Sequence, residues 1–142
     1  MESKQQNMGP LGELIVDQMA EALVYANREG VIERWNAGAA AMFGYSAAEA
    51  LGQRLDMMIP EHLRAAHWRG FDAAIANGST RLGGRPTVTR GQHKSGQKLY
   101  VEMSFALVSD ADGAVLGSVA VARDVTERVE RDKAAKKVAP SA

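Results

Sequence analysis

A histidine stands in the middle of an apolar helical stripe. In the segment Ile59-Pro60-Glu61-His62-Leu63-Arg64-Ala65-Ala66-His67-Trp68-Arg69-Gly70-Phe71, helical spacing puts Leu63, His67, Gly70, Phe71 and Ala74 on one side. Glu61, Arg64, Arg69 and Asp72 fall mainly elsewhere. An imidazole so placed has two uses: a structural partner holds it, or it addresses something that occupies the core. A neutral imidazole nitrogen is a good metal ligand. The small residues Gly70 and Ala74 leave room beside it. His62 and His93 fall at positions read as exposed and carry no assignment.

Other chemistries find little support. The chain has no cysteine, which excludes thiol catalysis, disulfides and cysteine-ligated metal. No nucleophile is accompanied by a base and an orienting group, and no glycine-rich phosphate loop sits at a strand–helix junction, so an enzyme is not expected. The 17 basic and 17 acidic residues give a formal net charge of +0. No global field points to nucleic acid or membrane, and no basic aromatic surface is legible. No run approaches the roughly 18 apolar residues that span a bilayer. The polar N-terminus lacks a signal core, so the cytoplasm is the default compartment.

The elements that must position His67 are readable in order. Residues 1–10 are polar and expected to be disordered. Residues 11–22 carry a helical stripe (Leu11, Leu14, Ile15, Gln18, Met19, Ala22) that needs its own core or a second chain to cover it. Ala22-Leu23-Val24-Tyr25-Ala26 and Val31-Ile32-Glu33-Arg34-Trp35 read as a hairpin around Asn27-Arg28-Glu29-Gly30. Asn36 caps a short helix that Gly44 ends, and Ser46 with Glu49 forms a capping box for another. Pro60 and Glu61 open the longer helix, and Asn77-Gly78-Ser79 stops it.

Beyond it the period becomes twofold. Residues 84–92 make an irregular strand that Pro86 and Gly91 confine to an edge. Leu99, Val101, Met103, Phe105 and Leu107 then alternate cleanly with polar or small residues. Asp110-Ala111-Asp112-Gly113 turns the chain into a last strand with Val115, Val119 and Val121 on one face. Thr126 or Asp124 caps a polar helix with only a thin stripe of Val125, Val129 and Val138. The fold class is α+β: an antiparallel sheet with short helices on one face. The domain proper covers residues 23–125, and an exit helix and tail cover 126–142.

These stretches together resemble the PAS family of sensory domains. The resemblance rests on Ala26-Asn27-Arg28-Glu29-Gly30-Val31-Ile32-Glu33-Arg34-Trp35-Asn36, Phe43-Gly44-Tyr45-Ser46, Glu49-Ala50-Leu51-Gly52, Met58-Ile59-Pro60, Lys94-Ser95-Gly96 and Ala122-Arg123-Asp124-Val125-Thr126-Glu127-Arg128. It implies a five-stranded antiparallel sheet, flanking helices at both ends and a small molecule held between the long helix and the sheet. It also implies a signal passed through dimerisation and the exit helix.

The opening segment is similar to that of haem-binding gas-sensor PAS domains of the FixL and direct-oxygen-sensor type. The resemblance implies haem b with His67 as the proximal iron ligand, lined by Leu63, Gly70, Phe71, Ala74, Met103 and Phe105. Arg85 falls where the direct-oxygen-sensor type carries a distal methionine, and Arg81 is near enough for a propionate. The arginine that steadies bound oxygen in the FixL type falls on Thr87 without gaps and on Arg85 with a shifted loop. Met103 is a further candidate sixth ligand. A flavin-adduct photosensor is excluded by the missing cysteine.

Two functions follow as expectations. One is a haem sensor for a diatomic gas or redox state; the other is a PAS module that binds a small organic molecule or nothing and works by protein interaction. Both imply a homodimer through the N-terminal or exit helix, and a signalling partner or a separate effector domain.

Overall fold

The computed structural model describes residues 2–80 and 83–138. Among them are five antiparallel strands in one sheet and five α-helices. The strands are β1 (Ala22–Asn27), β2 (Ile32–Trp35), β3 (Thr87–Gln92), β4 (Lys98–Ser109) and β5 (Val115–Asp124), in the order β2-β1-β5-β4-β3. The helices are α1 (Glu2–Gln18), α2 (Ala37–Phe43), α3 (Ala47–Ala50), α4 (Arg64–Asn77) and α5 (Thr126–Val138). The expected α+β fold is the one observed.

α1 departs from the sequence reading. It begins at Glu2 rather than at residue 11, takes in residues expected to be disordered, and passes through Pro10. Glu, Lys and Gln in its first turns are good helix formers, which composition-based reading of a polar tail overlooks. It stops at Gln18, before β1 begins at Ala22.

The caps match their residues. Asn36 Oδ1 accepts the Ala39 N–H at 2.9 Å and the Leu23 N–H at 2.8 Å. Its amide donates to Val16 O at 2.8 Å and Glu21 O at 3.0 Å, so one buried side chain ties α1, β1 and α2 together. Ser46 and Glu49 form the reciprocal capping box of α3. Pro86 precedes β3, which lies at the sheet edge.

Register decides what faces the helices. Val24 pairs with Ala120 and Ala26 with Ser118; Phe105 also pairs with Ala120 and Leu107 with Ser118. The inner face therefore carries the expected β4 stripe, but from β5 it carries Ser118, Ala120 and Ala122. The β5 valines go to the other face, where Val119 shares a groove with Val16 of α1, Leu23 and Val108. Gly117 is required between them: a Cβ there would lie 2.1 Å from the Ala26 carbonyl oxygen.

The tightest packing lies at one end of the inner face. Trp35, Phe43, Ile32, Leu55, Leu99 and Val101 are buried there, with the Trp35 and Phe43 rings 5.7 Å apart. Trp35 Nε1 donates to Tyr45 O at 2.9 Å, which satisfies the buried indole.

Candidate functional site

α4 is fixed at its beginning and stands off the sheet beyond. Pro60 opens a 3-10 turn (Glu61–Leu63) ahead of the α-helix, and Arg64 Nε donates to Ile59 O at 3.0 Å. Trp68 provides the main anchor. Its indole N–H donates to Asp56, its ring covers Gly30 so closely that a Cβ there would lie 2.3 Å away, and the Arg54 guanidinium sits 4.2 Å from the ring centroid. Every residue of α4 is nevertheless half-buried or exposed. An apolar helix side facing a sheet without closing on it leaves a gap.

That gap is a cavity with two lobes. The outer lobe, about 440 Å³, is lined by Gly70, Phe71, Ala74 and Ile75 of α4, by Arg85 in the loop before β3, and by Leu107. The inner lobe, about 340 Å³, reaches between Leu63, Ile59 and Met58 on one side and Val101, Met103 and Ala120 on the other. Ala66, His67, Thr89, Phe105 and Ser118 line both.

All eight site residues named from the sequence line this cavity. His67 and Phe105 stand at the junction of the lobes; Gly70, Phe71, Ala74 and Arg85 line the outer lobe, and Leu63 and Met103 the inner. Arg85 and Met103 are thus in different lobes, and Thr87 lines the inner one. Arg81 lies outside the described residues. A Cβ on Gly70 would meet nothing within 4 Å, so the glycine keeps space open rather than avoiding a clash.

The His67 ring lies 4.8 Å from that of Trp68 and 6.1 Å from that of Phe71, centroid to centroid. Its Nδ1 is buried without a hydrogen-bond partner among the described residues. Burial lowers its pKa below the usual 6.5, while the charges of Asp56 and Asp72 pull weakly the other way. Burial thus disfavours the charged ring, and its buried nitrogen makes no hydrogen bond among the described residues. Among the described residues no group of three or more His, Asp or Glu is gathered to hold a bare metal ion.

The same strand that lines the cavity holds the last helix. Tyr100 N–H donates to Thr126 Oγ1 at 2.8 Å, the Val125 N–H donates to Tyr100 O at 2.9 Å, and Lys133 donates to the Tyr100 phenol. α5 is therefore fastened to β4, between the inward-facing Leu99 and Val101.

Sequence reasoning did not find the anchor of Trp68, because Asp56 and Gly30 come from separate segments. It also missed Ser118, whose only signal is the small-residue alternation Ser118, Ala120, Ala122.

A family model described as PAS fold matches residues 16–130. The chain is 28% identical over 111 residues to the oxygen sensor protein DosP of Escherichia coli (strain K12); this covers 78% of the chain and 14% of that much longer relative. The PAS domain of a Colwellia psychrerythraea protein superposes with a TM-score of 0.72 at 23% identity, covering 90% of this chain and 100% of that one. An RNA-binding light-oxygen-voltage receptor also superposes at 0.72, with 25% identity over 93% of this chain and 37% of that one. Among the described residues no helix is long and apolar enough to cross a membrane.

Proposed function

The chain belongs to the PAS family, and on that premise we propose that it is a sensory domain that binds haem b with His67 as the proximal iron ligand. One observation carries this reading: an imidazole with a buried, unpartnered ring nitrogen stands at the junction of the lobes of a largely apolar cavity.

The surroundings suit a flat macrocycle with an anionic edge. Gly70 and Ala74 keep the helix wall low, Ala120 and Ser118 do the same for the sheet, and Phe71 and Phe105 add aromatic lining. Arg85 supplies a cation for a propionate in the outer lobe, and Met103 is available in the inner lobe as a packing contact or sixth ligand. Bound there, haem supplies an iron centre that takes up diatomic gases or changes oxidation state. The likeness to an oxygen sensor supports the same reading.

The chain's own part is to hold the group, exclude water and respond. β4 presents Met103 and Phe105 to the cavity and Tyr100 to α5, so a shift of the cavity wall biases the seating of the exit helix. The chain works as a binding module rather than an enzyme. Its output is association: exposed Leu11, Leu14 and Ile15 on α1 offer a homodimer surface, and α5 leads to a signalling partner or effector domain.

The test is the visible spectrum of purified protein, reconstituted with haem if it arrives colourless. A Soret band that is lost in His67→Ala supports the reading; no band after reconstitution sinks it. In that case the second reading stands, a PAS module for a small apolar organic ligand, favoured by the inner lobe's lining of Leu55, Met58, Ile59, Val101 and Met103. Light scattering with and without residues 1–20 tests association; an unchanged monomer counts against it.

A further inference from the structure

On the face of the sheet turned away from the cavity, three cations gather on one tyrosine. Leu99 and Val101 of β4 are buried inward, so Tyr100 between them points outward. Arg90 is its direct partner on β3, and Lys98 lies two residues earlier on the same face of β4. Lys133 reaches across from α5 to donate to the phenol. The Arg90 guanidinium and the Lys98 and Lys133 ammonium groups stand 5.5, 5.3 and 4.6 Å from the ring centroid. Three elements thus meet at this corner: the edge strand, a strand of the cavity wall and the exit helix.

Nothing negative answers these charges. Among the described residues none of the three makes an ion pair. Carboxylates close by in sequence are engaged elsewhere: Glu102 faces Arg123 and Arg128, Asp124 accepts the Thr126 N–H, and Glu127 faces Arg131. Arg90, which also borders the inner lobe at the sheet edge, has its Nε buried without a hydrogen-bond partner. A ring face attracts cations through its quadrupole but carries no net charge, so the mutual repulsion of three like charges is left standing. The chain as a whole is balanced at +0, so this excess is local.

We propose that this corner is an anion site that takes a phosphate group, held by Arg90 and Lys98 from the sheet and by Lys133 from α5. A phosphate group carries close to two negative charges and enough acceptor oxygens for three separate cations, whereas a carboxylate offers one charge and two oxygens. Because its holders come from the sheet and from α5, the bound group fastens the exit helix, whose own apolar stripe is thin. The proposal does not depend on what occupies the cavity.

Amide hydrogen exchange on the whole chain tests this, comparing inorganic phosphate with chloride at one pH and ionic strength. Lifting α5 dismantles the site, so about 10 mM phosphate on a site of millimolar affinity should slow exchange of the α5 amides roughly four- to tenfold. Amides of the β1–β2 hairpin, at the other edge of the sheet, should not change. Arg90→Gln and Lys98→Gln together leave Lys133 on the phenol and should abolish the response. Exchange of α5 that is alike in phosphate and chloride overturns the proposal. Slowing throughout the chain does so too, because it marks general exclusion of the salt from the protein surface. A response that survives in the double variant also overturns it. Acetate that protects α5 as well as phosphate overturns the phosphate assignment. Glycerol phosphate then separates the sources: protection by both assigns the site to phosphate esters as well as the free ion, and protection by inorganic phosphate alone assigns it to the free ion.

Discussion

Asp56 accepts the indole N–H of Trp68, one residue along α4 from the cavity histidine. The same carboxylate lies near enough to His67 to pull its pKa upward against burial. One short turn before α4 thus both fixes the helix's first turns and moderates the charge state of the imidazole on its inner side.

Burial holds the folded His67 below the 6.5 of a free ring. As pH drops through that value the unfolded chain takes up a proton that the folded chain refuses, so stability is complete above it and declines below. The urea midpoint should therefore fall more in wild type than in His67→Leu between about pH 7.5 and about pH 5.5. Equal slopes in the two proteins would show that this ring is not desolvated.

Gly70→Ala separates stability from binding. The glycine is helical and a Cβ there meets nothing, so alanine should raise unfolding free energy by about 0.5–1 kcal/mol. Because the added methyl enters the outer lobe, haem affinity should weaken in the same variant. Denaturant titration and haem titration read the two effects, and unchanged affinity argues against a macrocycle lying along this helix.

Asn36→Ala removes four hydrogen bonds from a residue that is 2% exposed. The lost cap and the stranded backbone groups together should cost about 3 kcal/mol in equilibrium unfolding. A cost under about 1 kcal/mol would mean that water replaces the amide there.

Tyr25 and Tyr100 should titrate apart. Burial and the nearby Glu33 raise the Tyr25 phenol, whereas the Lys133 hydrogen bond and charge, with Lys98, lower that of Tyr100. Near-ultraviolet absorbance against pH should show the low-titrating phenol lost in Tyr100→Phe and moved back up in Lys133→Ala. A Tyr100 titration indifferent to Lys133 would mean that α5 is not held at this point.

Much of this arrangement is legible in the chain itself. Caps and turns depend on neighbours in sequence, so Asn36, Ser46 with Glu49, and Gly44 mark their helices directly. The β4 alternation points Met103 and Phe105 to the cavity because period two is enforced by the backbone. β5 is harder to read. Its valines suggest the buried side, yet they lie on the far face, where Val119 shares a groove with α1, and small residues take the near one. The His67 reading needed the structure for a different reason, since only three-dimensional placement shows that no carbonyl or carboxylate meets Nδ1.

The sheet is a single layer, and its strands serve two sides at once. Adjacent residues of β5 answer to different surroundings: Ser118 and Ala120 to the cavity, Val119 to the groove beneath α1. No intervening core cushions one side from the other. A molecule that presses on the inner wall is in mechanical contact, through one thickness of backbone, with the surface where another protein would sit. On the proposed reading the partition itself is the message line, and its stiffness sets how much of the signal crosses.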